Sequence, residues 1–167
     1  MDIEGGSYKF IEMEVLNSKR VKELLNVLVR DYSVKKIKFD YAFLQDNDSI
    51  YAVSKDFLFL NELRMKNAGL FFGKFFGDLF VLSIEGSQLV GNDIGRALEI
   101  DANEINNWLK GCDMQNKYNM ADGLLVIRHK DDFLGSGRIK EDKIFNLVPK
   151  ERRVYNTYSI SNEGNLA

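Results

Sequence analysis

Apolar and polar residues alternate near the start of the chain, with Ile11, Met13 and Val15 set against Glu12 and Glu14. That two-residue period belongs to a strand with one buried face. The period then lengthens. Val21, Leu24, Leu25 and Leu28 recur on one helical face, Lys19, Arg20, Lys22 and Glu23 occupy the other, and Asn17 or Ser18 supplies a cap. Alternation returns over Val34 to Leu44, and Gln45-Asp46-Asn47-Asp48 turns the chain into Ile50 to Val53 as a hairpin. Ser54 is placed to cap a second helix to about Met65, and strands are expected over Gly69 to Phe72 and Leu79 to Ile84. Antiparallel strands with helices grouped on them make an α+β layer.

The texture changes after Gly86, Gly91 and Asn92, and a boundary is expected between Ser87 and Asp93. Ten of the 12 Phe precede it; only Phe133 and Phe145 follow. The first unit is thus residues 1–90 and the second 93–167. The second opens with a strand, Arg96 to Ile100. Asp101-Ala102-Asn103-Glu104 then has the form of a capping box, with Ile105, Trp108 and Leu109 as the buried stripe and Gly111 free to close the helix left-handed. Short strands follow over Gly123 to Arg128, Phe133 to Lys140, Lys143 to Val148 and about Arg153 to Ile160. Such a series predicts a small, partly closed barrel plugged by one helix.

Composition narrows the chemistry. Among 167 residues are 23 Lys+Arg, 25 Asp+Glu, one His, one Cys and one Pro, with a formal charge of −2. A single cysteine excludes an internal disulfide framework, and a zinc knuckle needs more than Cys112 and His129. Cys112 is expected as a small buried hydrophobe. A nucleophilic triad would have to use His129, which stands between Arg128 and Lys130. No phosphate-cradling or dinucleotide loop and no HExxH helix is present, so no cofactor, no metal and no catalytic residue is assigned. Neither a leader nor a membrane-spanning run is seen, which leads to the expectation of a soluble, intracellular binding module.

Three features carry candidate function. In Phe133-Leu134-Gly135-Ser136-Gly137-Arg138-Ile139, two glycines inside a strand mark a bend or a close backbone approach. Between Arg128 and Arg153, eight Lys/Arg stand against five Asp/Glu, a local surplus of three, and Lys150-Glu151-Arg152-Arg153 leads into Tyr155 and Tyr158. Cations attract phosphate and aromatic faces stack on unpaired bases, although a charged strand edge is the plainer account. In Gly69-Leu70-Phe71-Phe72-Gly73-Lys74-Phe75-Phe76-Gly77, an exposed partner-binding patch competes with core strand plus turn.

Taken together, the chain resembles the small archaeal and eukaryotic ribosome-biogenesis factors of the Nip-seven family, which join an N-terminal α+β domain to a C-terminal PUA domain. Tyr51-Ala52-Val53-Ser54 followed by Phe72-Gly73-Lys74-Phe75 is similar to that family's "YxVSE … FGKF" segment. Ala102 to Gly111 looks like the first PUA helix, Phe133 to Arg138 is similar to the "PLGxG" strand, and Lys150 to Arg153 resembles the basic terminal strand. Asp132-Phe133 departs from the pattern where many PUA strands carry proline. The resemblance implies a non-catalytic RNA-binding protein of the cytoplasm, or of the nucleolus in a eukaryote. It would act in ribosomal RNA maturation and large-subunit assembly, with other assembly proteins meeting the N-terminal domain and no membrane involved. On matching positions, Arg152 and Arg153 are the first candidates for phosphate contact, then Lys150 and Arg138, then Lys140. Gly135 and Gly137 would let RNA or a neighbouring strand come close. Two rivals remain: an RNA-modifying enzyme or its accessory PUA subunit, of pseudouridine synthase or methyltransferase type, and a protein-interaction adaptor. The leading reading requires the guanidinium groups of Arg152 and Arg153 to face an open groove rather than to be locked to neighbouring acids.

Overall fold

The amphipathic stretch after Asn17 forms α1 (Ser18–Tyr32) in the computed structural model, which describes residues 13–35, 37–59 and 69–155. The Asn17 side chain accepts from the Arg20 amide at 3.0 Å, and Ser33 closes the helix in the left-handed region at φ 52°. Leu24, Leu28 and Tyr32 are buried. They pack on a meander of five antiparallel strands in sequence order: β1 (Glu14–Val15), β2 (Tyr41–Asp46), β3 (Ser49–Ser54), β4 (Leu70–Phe76) and β5 (Leu79–Leu82). The Asp46-Asn47-Asp48 turn chemistry acts as expected, with Asn47 at φ 50° between β2 and β3.

Several elements differ from the sequence expectation. Met13 precedes a two-residue strand, and Ile11 and Glu12 lie outside the described residues. The strand expected from Val34 begins only at Tyr41, because Val34 donates back to Leu28 O and Lys35 donates to Asp93 O. After Ser54 comes a short 3₁₀ turn, Lys55–Phe59, while the rest of the helix expected to Met65 lies outside the described residues. Where a strand end and a boundary were expected there is a helix, α2 (Ile84–Val90), capped by the Ser83 hydroxyl accepting from the Gly86 amide at 2.8 Å.

A second five-stranded sheet holds β6 (Ala97–Glu99), β7 (Met114–Gln115), β8 (Gly123–His129), β9 (Asp132–Lys140) and β10 (Lys143–Asn146), in the order β6-β8-β9-β10-β7. β6 runs parallel to β8 and the other pairs are antiparallel. The sheet curls into a half-barrel against α3 (Ala102–Leu109). The capping box is present: Asp101 accepts from the amides of Asn103 and Glu104, and Glu104 accepts from that of Asp101. Gly111 sits at φ 87°, as the close of the helix requires. Cys112, just beyond, is exposed rather than buried.

Strand β8 belongs to two cores at once. Leu125 and Ile127 join Trp108, Ile139 and Ile144 on one side. Leu124 and Val126 join α1 and the first sheet on the other. At the junction the Tyr32 hydroxyl lies 2.9 Å from Phe80 O and 2.8 Å from Ser136 Oγ, and it accepts from the Leu82 amide at 3.2 Å. Burial pushes the Tyr32 phenol up to about 12. Among the described residues no helix is long and apolar enough to cross a membrane.

Candidate nucleic-acid interface

The glycines of β9 are buried, and what approaches them is the protein itself. Gly135 adopts φ 83°, and a Cβ there would lie 3.3 Å from Ile84 Cγ1 and 3.4 Å from Val148 Cγ2. A Cβ on Gly137 would lie 3.0 Å from Ile144 Cγ2 and 3.1 Å from Trp108 Cη2. The two positions let β9 pass closely between α2 and α3; neither presents its backbone to an outside ligand.

Beyond the glycines the same strand turns polar. Arg138 pairs across the sheet with Leu124 and Phe145, and Lys140 pairs with Lys143. Directly opposed residues of antiparallel strands project from the same side. Leu124 on this side is part of the shared core, so the face that is apolar beneath the first sheet becomes cationic where it emerges. Arg138 and Lys140 are exposed, and among the described residues neither forms an ion pair. Lys143 Nζ lies 2.9 Å from Asp113 Oδ2 and 4.9 Å from the centre of the exposed Phe145 ring. Burial works to raise the Asp113 pKa, but the Asn146 amide and the Lys143 ammonium outweigh it and hold the carboxyl below its ordinary range.

The last basic cluster is not a strand. After Pro149, Lys150–Arg152 forms one 3₁₀ turn, and most of the strand expected over Arg153 to Ile160, Tyr158 included, lies outside the described residues. Lys150 is exposed. Arg152 and Arg153 point to different places. Arg152 Nη2 lies 2.5 Å from Glu85 Oε1 on α2, and its side chain is half exposed. Arg153 Nε donates to Val148 O at 3.0 Å, and its guanidinium lies over Gly111 at the end of α3. Arg152 therefore pairs with an acid while bordering open space, and Arg153 is absorbed into packing. The condition that both guanidinium groups face an open groove is met by Arg152 in part and by Arg153 not at all. Tyr155 is 69% exposed and donates to Lys150 O at 3.2 Å.

Arg152 and Arg138 are brought to a common wall. Arg152 edges a groove of about 480 Å³ and Arg138 a smaller one of about 260 Å³, and Phe76, Val81 and Leu147 line both. The far side of the larger groove is the outer face of the first sheet, with Tyr51, Phe71 and Lys74. Lys143 and Phe145 were absent from the sequence candidates, although the alternation of Lys143-Ile144-Phe145-Asn146 marks them as one exposed face. Nothing in the sequence marks Tyr51 as part of a site, because its place beside Phe71 depends on the β3–β4 pairing and its bulge.

His129 serves the fold: its Nδ1 lies 2.7 Å from Ile100 O where β6 and β8 end. The neighbouring Glu99 carboxyl is held below its ordinary range by the Lys130 amide and then by Arg128. Among the described residues no three His, Cys, Asp or Glu side chains gather to hold a metal ion.

Residues 96–154 match the family model described as the PUA domain of the methyltransferase RsmF. The second sheet and α3 thus form a PUA-type domain, and a PUA-type domain implies RNA binding. The matched residues are roughly a third of the chain and leave out the first sheet. No curated protein matches the chain.

Proposed function

We propose that the protein is a non-catalytic RNA-binding factor of the cytoplasm or nucleolus that acts on ribosomal RNA during large-subunit assembly, in company with other assembly proteins. The observation that supports this reading best is the cationic face of β9, where Arg138 and Lys140 form no ion pair among the described residues, emerging from a PUA-type domain. A net charge of −2 argues for a small focused patch, since a broad basic surface would leave the chain strongly positive. Phosphate contacts dominate such binding and make it fall with salt.

The test is filter binding of the full chain to ribosomal RNA fragments across a salt series. Each lost phosphate contact flattens the log–log slope by about 0.7 to 0.9. Arg138→Ala with Lys140→Ala should flatten it by about 1.5. Arg152→Ala should remove about one further contact, whereas Arg153→Ala should leave the slope alone. An unchanged slope in the Arg138/Lys140 variant, with folding intact, rejects the assignment.

A second reading, an accessory subunit of an RNA-modifying enzyme, draws on one observation: the matched family is named for a methyltransferase. Co-purification of a methyltransferase with the tagged chain from its own cells, dependent on that chain for RNA methylation, would favour it over the assembly role.

A further inference from the structure

We infer that the RNA site extends beyond the PUA-type domain onto the outer face of the first sheet, and that the groove there takes unpaired bases of single-stranded RNA. The inference rests on the RNA-binding reading above and adds to it the kind of RNA. Three observations carry it.

The first is the aromatic lining. Strands β3, β4 and β5 turn one face to the core, where Phe72, Phe80 and Ile50 are buried. On the opposite face Lys74 pairs with Val81, Phe76 with Leu79 and Tyr51 with Phe71. Tyr51 and Phe71, both half-buried, meet with ring centres 5.6 Å apart, Tyr51 also resting on the cluster of Leu44 and Val53, and Phe76 is 58% exposed. Every base has a π-face, so exposed aromatic rings along a groove bind single strands with little regard to sequence.

The second is charge. Lys74 Nζ stands 5.5 Å from the centre of the Phe76 ring and, among the described residues, makes no ion pair. Arg152 lines the same groove. Glu151 is the acid on the rim, and Glu85 lies behind Arg152 as its partner. A phosphate in the groove thus meets an ammonium directly and a guanidinium that it shares with Glu85. The third is proximity. The groove shares Phe76, Val81 and Leu147 with the smaller one bordered by Arg138, so aromatic platform and cationic sheet face lie beside the same three side chains, within reach of one strand.

Duplex RNA has no free base faces to offer, and this sets the test. Fluorescence anisotropy compares the full chain on a 12-nucleotide single strand of mixed, non-self-complementary sequence and on the corresponding duplex. Phe76→Ala should weaken single-strand binding by about fivefold to a hundredfold with its salt slope unchanged, and leave the duplex untouched. Lys74→Ala should flatten the single-strand slope by about 0.7. Leu70→Ala, which removes another exposed apolar side chain of β4 outside the groove, should do nothing. If Phe76→Ala and Lys74→Ala bind both RNAs as the parent does while Arg138→Ala with Lys140→Ala weakens binding, RNA binding stands and the groove inference falls. The aromatic face then belongs to a protein partner. Equal loss on both RNAs also overturns base stacking. If the parent chain binds neither RNA, the functional reading itself fails and the inference falls with it.

Discussion

The two sheets solve burial differently. The first sheet is aromatic on its main face, where Phe39, Phe43, Phe72, Phe75 and Phe80 meet edge-on or tilted, with ring centres 4.7 to 6.3 Å apart, beneath α1, and a smaller cluster on its other face buries Leu44 and Val53 beside Tyr51. The second is aliphatic along β8 and uses both faces, and Leu124, Leu125, Val126 and Ile127 are all buried, alternately in one core and the other. Strands covered on both sides read as unbroken apolar runs, and strands covered on one side read as alternation. The sheet with part of a face to spare is therefore the first: beyond the cluster of Leu44 and Val53 that face carries the half-buried Phe71 and the exposed Phe76. The second sheet is cationic where β9 and β10 run out past their cover, at Arg138, Lys140 and Lys143.

The strongest test of this contrast is Trp108→Ala. Trp108 is fully buried at the centre of the α3 side of the second sheet, and its indole donates to Leu134 O at 2.8 Å. Removing so large a core side chain costs about 3 to 5 kcal/mol. Because β8 shares its other face with the first sheet, both sheets should lose structure in one transition at lower denaturant, followed by far-UV circular dichroism and tyrosine fluorescence. A first sheet that stays folded while the second melts would mean the shared core couples them weakly.

A subtler break targets the joint. Tyr32→Phe removes the hydroxyl that links α1, β5 and β9, leaving the Leu82 amide and Ser136 each short of a partner, at a cost of about 1 to 3 kcal/mol. The phenol also sets an alkaline limit. Its folded pKa of about 12 lies above the unfolded value of 10, so its contribution is complete below pH 10 and is lost as pH rises towards 12. Burial moves Tyr41 the same way, also to about 12, so the variant should keep part of this decline. In that window the parent should lose stability faster than Tyr32→Phe by about 1.4 kcal/mol per pH unit, the effect of one proton, and the two curves should converge. Denaturant titrations at about pH 9, about pH 10.5 and about pH 11.5, running from below the ordinary tyrosine value of 10 towards the raised one of about 12, check this. Parallel curves would place the titration elsewhere.

What could be read from residues alone follows the range of the interactions. The α1 face, the turn at Asn47 and the capping box at Asp101 are settled within a few residues, and all three appear where expected. Helix α2 was hidden because Gly86 looks like a breaker. In the fold it is a spacer, since a Cβ there would run into Phe72 O of β4, and that neighbour is distant in sequence. The same holds at the site. The cationic residues of β9 were visible as charges in a strand pattern, but the opposite fates of Arg152 and Arg153 depend on Glu85 and on the end of α3, neither of which is local. Lys150 to Arg153 reads as a basic strand only until Pro149 and these contacts turn it into a 3₁₀ turn.

The smallest expected effects compare the two helices that serve the two sheets. Asn17 caps α1 through a single acceptor bond to the Arg20 amide, on a helix of 15 residues. Asp101 caps α3, eight residues long, through bonds of 2.8 and 3.0 Å to the amides of Asn103 and Glu104, and Glu104 returns a bond to the Asp101 amide while holding Lys117 at 2.6 Å. Losing a cap costs about 0.5 to 2 kcal/mol. The short helix, which carries Trp108 and has fewer internal bonds to fall back on, should sit at the upper end. Asp101→Ala is thus expected to lower stability by about 1.5 kcal/mol and Asn17→Ala by about 0.5, in equilibrium denaturation at neutral pH. An inverted order would mean that α1, despite its length and its broad contact with the aromatic sheet, depends more on its first turn than α3 does, and that the second sheet holds its helix through Trp108 alone.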